Sequence, residues 1–455
     1  MKRILVLITI HFSLFSFHCL AQDNHVIDSL ESKLKRHEVE KKALGSKVPA
    51  MYDTTAVQIL NKLSLAYNGM NTDKEMEYAN QSLALSERMG YKKGMGNAHN
   101  NLGTVYLDKG DYLIAMEHHK KALKLFEELN NKMGIAESHA DIGQIYYNQG
   151  DYPEALKNYL LELKLIEDTG DKSKLKTAYI AIACVYREQK NFSEAIKKFS
   201  SALKVSEEIG DKKGEVETYW YMGHTYAIQH DSTNALMNYY ASLKISEDIG
   251  YKEGIARAYS GIGNVYRENG MSDLALKNLF LAIKTNEERG DKKDLAGAYV
   301  ETAFVYQRQG NISEALKYHF DALKIYEELG DKSRMAERYI SISVNYRKEK
   351  KYKEAIEYMD KALALSKETG NMNDIKNSYL RLSLLDTAQG DFKKALEDYQ
   401  SYILYRDSML NNENTKKTMA LQMNYYFDKK QDSIKAVQDK KDRCKSVDGS
   451  LDKII

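Results

Sequence analysis

Histidines, cysteines and paired carboxylates are the residues of this chain best suited to hold a metal or attack a carbonyl, and their spacing serves neither purpose. His118 and His119 are adjacent and lack the partner four residues on that a His-Glu-x-x-His zinc helix requires. Of the three cysteines, Cys19 falls in a leader-like segment, Cys184 in a helical stretch and Cys444 in the tail, so no disulfide framework is indicated. There is no glycine-rich phosphate loop, no Gly-x-Ser-x-Gly and no Cys–His nucleophile arrangement. Carboxylate pairs such as Glu207-Glu208 recur at helix ends, as solvated faces do. The expectation is a chain with no catalytic residue, no cofactor and no metal ligand.

The pattern that positions every residue is a 40-residue period. Alanine recurs at Ala115, Ala155, Ala195, Ala235, Ala275, Ala315, Ala355 and Ala395. Sixteen residues before it stands a ring: His99, His139, Tyr179, Tyr219, Tyr259, Tyr299, Tyr339 and Tyr379. His99 and His139 are therefore expected to pack rather than ligate. Twelve before it stands a small residue, from Gly103 and Gly143 to Ser343 and Ser383. Nine before it is tyrosine from Tyr106 to Tyr346, expected to stack as core filler from repeat to repeat, with Asp386 as the exception. Four after it is usually a ring (Tyr159, Phe199, Tyr239, Tyr399), and seven after it is mostly alanine again (Ala122, Ala202, Ala282, Ala322, Ala362). Offsets of three, four and seven mark helix faces, so each period holds two amphipathic helices. Periods of this length mean stacked supersecondary units. Glycine within a helix costs about 1 kcal/mol relative to alanine, a cost that close approach of the paired helices offsets.

The punctuation agrees. Gly150-Asp151-Tyr152-Pro153-Glu154 combines a glycine C-cap, an aspartate N-cap, proline in the first turn and a glutamate three residues on. Asn191 with Glu194 and Asn311 with Glu314 are expected to repeat the device. The second helix ends at Gly170, Gly210, Gly250, Gly290, Gly330 and Gly370, with Asn130 as the left-handed substitute.

Leu102-Gly103, Tyr106, Ala115, the following ring and Ala122 resemble the tetratricopeptide repeat, over residues 55–408 in about nine units. The common unit has 34 residues and a late proline in its second helix. Glutamate stands there instead (Glu167, Glu207, Glu247, Glu287, Glu327), which lets the helix run on and makes the chain similar to the 40-residue subclass found in sensory modules of bacterial signalling proteins. The resemblance implies an all-α, right-handed superhelical solenoid of antiparallel helix pairs, with first helices on a concave side where partner peptides lie. By the family's rule the lining positions fall five and eight after the ring column. Those of the middle repeats are Gln144, Arg187, His224, Asn264, Arg267, Gln307 and Arg347, with Trp220 one turn away. Side-chain amides can hold an extended backbone and arginines can take carboxylates, so the expected partner is a protein or peptide, with an acidic or C-terminal segment. Glu188 and Glu268 stand beside two of the arginines and are able to neutralise them.

A formal net charge of +2 with interspersed charges gives no basic block for nucleic acid. Lys2-Arg3, the apolar run from Ile4 to Phe17 and Cys19-Leu20-Ala21 predict a signal peptide over 1–21, hence export to a bacterial periplasm or beyond, with no membrane span after cleavage. Residues 22–54 are expected to form a helical cap. Residues 409–455 are expected to be a charged helical tail, similar to the juxtamembrane helix that follows such arrays in bacterial sensors. The reading is an exported, non-enzymatic interaction scaffold. The alternative is the sensory half of a signal-transduction receptor, cut before its membrane span and output domain.

Overall fold

A computed structural model describes residues 26–43, 50–68 and 70–407. The segment at 1–21 expected to be a signal peptide and the expected helical tail at 409–455 lie outside them. Every described element is an α-helix. Helix α1 covers 26–43, and α2 (Ala50–Tyr67) and α3 (Thr72–Met89) form the first pair, so this pair begins a few residues before 55. There follow α4 (Lys92–Asp108), α5 (Tyr112–Glu128), α6 (Lys132–Asn148), α7 (Tyr152–Thr169), α8 (Lys172–Glu188), α9 (Phe192–Ile209), α10 (Lys212–Ile228), α11 (Ser232–Asp248), α12 (Lys252–Glu268) and α13 (Ser272–Arg289). These belong to one compact unit, residues 1–291. The second unit, residues 292–455, holds α14 (Lys292–Gln309), α15 (Ile312–Leu329), α16 (Lys332–Lys348), α17 (Tyr352–Thr369), α18 (Met372–Gln389) and α19 (392–407). The repeat register runs through Gly290-Asp291-Lys292 without insertion, so this division leaves no mark on the period.

Each pair is built on the columns. Ala115, Ala155, Ala195, Ala235 and Ala275 are fully buried, and so are Ala122, Ala202 and Ala282 in the second alanine column. The ring four residues after the first alanine packs onto the small residue of the facing helix. A Cβ on Gly103 would come within 2.4 Å of the His119 ring, and one on Gly143 within 2.9 Å of the Tyr159 ring. Only glycine or a slightly shifted helix lets these backbones approach so closely, which answers its cost in a helix interior. Phe126 and Phe199 are wholly buried between pairs, each worth about 2–3 kcal/mol of hydrophobic stabilisation.

The tyrosine column behaves differently from the expectation. It is half-buried, and where it stacks it does so within its own pair: Tyr106 on His118 at 5.6 Å, Tyr306 on Tyr318 at 5.6 Å and Tyr346 on Tyr358 at 5.5 Å. The stacking partner lies three residues after the alanine, on the helix that follows, and repeats with Asn158 or Asn238 there lack such a stack.

Caps follow the punctuation with one correction. Asp151 accepts from the Glu154 amide at 3.4 Å and Asn311 from the Glu314 amide at 3.3 Å. Asn191 begins α9 without a side-chain cap bond. Asn130 and the glycines at 170, 210, 250, 290, 330 and 370 all have positive φ. An exposed register mark also recurs. The lysine opening a first helix meets an acid 36 residues later, as in Lys92–Glu128 at 2.8 Å, Lys132–Asp168 at 3.1 Å, Lys172–Glu208 at 3.1 Å and Lys292–Glu328 at 2.8 Å. Exposed pairs of this kind are worth about 0–1 kcal/mol each, so they record the register more than they hold it.

Candidate interaction surface

The expected groove residues of the first unit fall on the first helices α6, α8, α10 and α12. Three of them meet. Arg187 of α8 is 9% exposed, and its guanidinium donates to Glu188 Oε1 from Nε at 3.1 Å and from Nη2 at 3.0 Å. Its Nη1 lies 3.4 Å from Nδ1 of His224 on α10, and it sits 6.0 Å over the Tyr221 ring. Trp220 stacks on His224 with centroids 5.4 Å apart and planes 9° apart, while its indole N–H donates to the Arg257 carbonyl of α12 at 3.3 Å. Tyr147 of α6 donates to the same Glu188 oxygen at 3.4 Å. One network therefore joins four successive first helices.

Its electrostatics are those of a structural site. Burial, then the Arg187 charge, lowers the His224 pKa and favours the neutral imidazole. Burial pushes the Cys184 thiol of the same helix up to about 11, where it is a poor nucleophile. His99, His118 and His139 are also packed in. His99 faces His118 across 3.1 Å with both held down to about 4 by burial, and His139 faces Asn158 across 3.0 Å. No group of histidines, cysteines and carboxylates able to hold a metal occurs among the described residues.

The remaining expected residues are dispersed. Gln144 donates to Asn148 at 2.8 Å and accepts from Tyr159 at 3.2 Å. Asn264 is half-buried and its Oδ1 has no partner. Arg267 pairs with Glu268 at 2.9 Å. Gln307 and Arg347 belong to the second unit. There Gln307 is half-buried, and Arg347 is exposed beside Arg381 at a small cavity of about 60 Å³. The two interior arginines are thus taken up by the glutamates next to them in sequence.

A further concavity lies elsewhere in the first unit. A cavity of about 600 Å³ opens on α2, α4, α6, α7 and α8, with the amides of Asn61, Asn97 and Asn101 along one side and Glu137, Asp141 and Glu162 along the other. Asn101 Nδ2 donates to the Asn61 carbonyl at 3.1 Å, and Lys174 Nζ donates to Glu137 at 2.7 Å. Glu162 is 6% exposed and its Oε2 has no partner. Burial, then the neighbouring Asp141, lifts its carboxyl to about 8. Positions five and eight after the ring take in Thr104 and leave out the asparagines and carboxylates. Asn97, Asn101 and Thr104 stand two before, two after and five after His99, a spacing of four and three that makes one helix face. Glu162 also carries a signal of its own, since the same column holds Ala122, Ala202, Ser242, Ala282, Ala322 and Ala362, and Tyr402 in the last repeat.

Comparison with known proteins places this architecture. The tetratricopeptide repeat matches at residues 94–160, 134–208, 215–285 and 294–368, more than half of the chain. No curated protein matches it in sequence. Among solved structures it is similar to the apo form of RapI, at 16% identity and TM-score 0.52, covering 86% of this chain and 99% of that one. It is similar to aspartyl phosphate phosphatase F from Bacillus subtilis, at 12% identity and TM-score 0.50, covering 77% of this chain and 93% of that one. It is also similar to a signal transduction ATPase with a tetratricopeptide repeat sensor from Pyrococcus horikoshii, at 17% identity and TM-score 0.54. That match covers 81% of this chain and only 55% of the other. At these identities the likeness is one of fold.

Proposed function

This chain belongs to the tetratricopeptide repeat family, and from that premise we propose that it is a non-enzymatic scaffold whose first helices hold an extended segment of a partner protein. The observation that carries the reading is the 600 Å³ cavity with Asn61, Asn97 and Asn101 along its wall. Its size lies in the range of about 300–1,000 Å³ typical of ligand pockets. Carboxamides present a donor and an acceptor together, which suits an extended peptide backbone whose sequence varies. The network of Arg187, His224 and Trp220 supports a second contact. There a partner's acidic side chain or C-terminal carboxylate competes with Glu188 for the guanidinium.

The test is selection of displayed peptides against the folded chain, followed by calorimetry on the peptides recovered. The reading expects micromolar or tighter binding that weakens when Asn61 and Asn101 are both replaced by alanine. Indifference to those changes, together with a failure to compete with partner segments, overturns it.

We also propose that the chain is exported, on the strength of the Lys2-Arg3 start and the apolar run to Phe17. N-terminal sequencing of the mature protein tests this, with cleavage after Ala21 expected. A second reading, the ligand-sensing half of a signalling receptor, has the support of the fold shared with the sensor-bearing ATPase. It predicts that peptide binding changes the output of a membrane or cytoplasmic partner in the cell.

A further inference from the structure

The cavity of the first unit contains a buried carboxyl group that the fold leaves without an ion-pair partner. In six other repeats the residue seven after the alanine is small and buried: Ala122, Ala202, Ser242, Ala282, Ala322 and Ala362 are each fully inaccessible, and only the last repeat differs, with Tyr402. Only a small side chain is needed there to pack second helix against first. In α7 the place is taken by Glu162, 94% of whose surface is buried and whose Oε2 meets no donor. An unpaired buried acid costs several kcal/mol as an ion, and alanine would serve the packing better. The neighbours relieve it only in part. Asp141 adds a like charge, and Lys174 of α8 offsets it in part from a position where its ammonium is hydrogen-bonded to Glu137 at 2.7 Å. Lys62 lines the same cavity from an exposed position on α2. His119 Nδ1 lies 3.3 Å from Asp141 Oδ2 and 3.3 Å from Asn100 Oδ1, and it is itself wholly buried behind the wall. The floor beside Glu162 is apolar, made by Ala136, Ala140 and Ile166.

We propose that this cavity is a subsite for a basic side chain, arginine or lysine, carried by the extended partner segment, with Glu162 and Asp141 as its acceptors. The argument rests on the peptide-binding reading above and specifies its chemistry. An alkyl stem lies on Ala136, Ala140 and Ile166, and the cationic head supplies the N–H groups that Glu162 lacks. The adjacent carboxamides of Asn61 and Asn97 take the backbone on either side. Entry of the cation turns the cost of burying Glu162 into a charge-assisted hydrogen bond, so the subsite selects against neutral and acidic side chains.

The probe is a library of random heptapeptides displayed against the full chain. Enrichment of arginine or lysine at one fixed position is expected. A capped peptide from that set should bind the Glu162→Gln chain about thirtyfold more weakly, the loss typical of removing one partner of a buried charge pair. Citrulline in place of its arginine should weaken it comparably. Glutamine matches glutamate in size, so the variant is expected to fold. Asp141→Asn, at the half-buried partner, provides the same readout if it does not. Enrichment without a basic position overturns this inference and leaves the peptide-binding reading intact. Basic enrichment retained by both variants places the cation elsewhere and also overturns it. No enrichment at all overturns both readings.

Discussion

The guanidinium of Arg187 is clamped by the carboxylate of Glu188, its neighbour in sequence, through two hydrogen bonds of 3.1 and 3.0 Å. The side chain therefore serves the packing of α8 against α10 before it serves any ligand. Arg187→Ala removes those bonds and the contact with the Tyr221 ring, and leaves His224 Nδ1 without its neighbour. Glu188 is 35% exposed and finds water instead, so no buried charge is stranded. A loss of about 1–2 kcal/mol is expected, read from the midpoint of urea unfolding. Arg187→Lys should not restore it, because a single ammonium cannot reach the glutamate and cover the ring together.

Glu162 gives the first unit a pH dependence of defined sign. Its folded pKa, raised to about 8 by burial and then by Asp141, exceeds the ordinary carboxylate value of about 4.3. The folded chain thus holds this proton more tightly than the unfolded chain does. The stability tied to it is fully present below about pH 4 and is lost as pH rises through 8. Glu162→Gln lacks the titration while keeping Glu137, Asp141 and Lys174. The variant should match the parent near pH 4 and exceed it at pH 9, by on the order of 3 kcal/mol. Parallel unfolding curves across that range would refute the assignment.

Lys190, His230 and Lys350 end first helices in the left-handed conformation, with φ of 60°, 60° and 61°. Gly110, Gly150, Gly270, Gly310 and Gly390 hold the equivalent places. A side chain there costs about 1–2 kcal/mol, whereas glycine pays about 0.5–1 kcal/mol in chain entropy. The balance favours glycine. Lys350→Gly should therefore stabilise the second unit by about 0.5–1 kcal/mol, visible as a higher urea midpoint with an unchanged slope.

These sites show what the sequence made legible. Period, helix pairing, the buried alanine columns and the left-handed caps were all carried by residue types with strong local preferences, such as Ala115, Gly103 and Gly170. The tyrosine column was harder, because its partner is set by the residue three after the alanine, as His118 is for Tyr106, and that position varies. The cap at Asn191 has the right residue without the bond, since cap geometry depends on a rotamer that the pattern does not specify. At the site, Thr104 lies five after the ring at His99 and lines the cavity, and the helix period then puts Asn97 and Asn101 on the same face. Glu162 comes from the second helix, outside any rule about first helices, and shows only as the acid in a column of small residues.

The columns themselves can be tested at Ala275, which opens the buried row of α13 and is wholly inaccessible. Its carbonyl would lie 3.3 Å from a Cβ placed on Gly263, so α12 and α13 are in near backbone contact at this point. Ala275→Glu puts a long acid into that contact, which has no room for it. Overpacking and an unpaired buried charge act together, and a loss of about 3–5 kcal/mol is expected. In a repeat array each unit leans on its neighbours, so the damage should begin locally. Amide hydrogen exchange should rise first in α12 and α13, while α4 and α5 keep their protection. An unchanged melting curve and unchanged exchange in α12 would mean that Ala275 does not face α12, and the 40-residue register built on this column would have to be shifted.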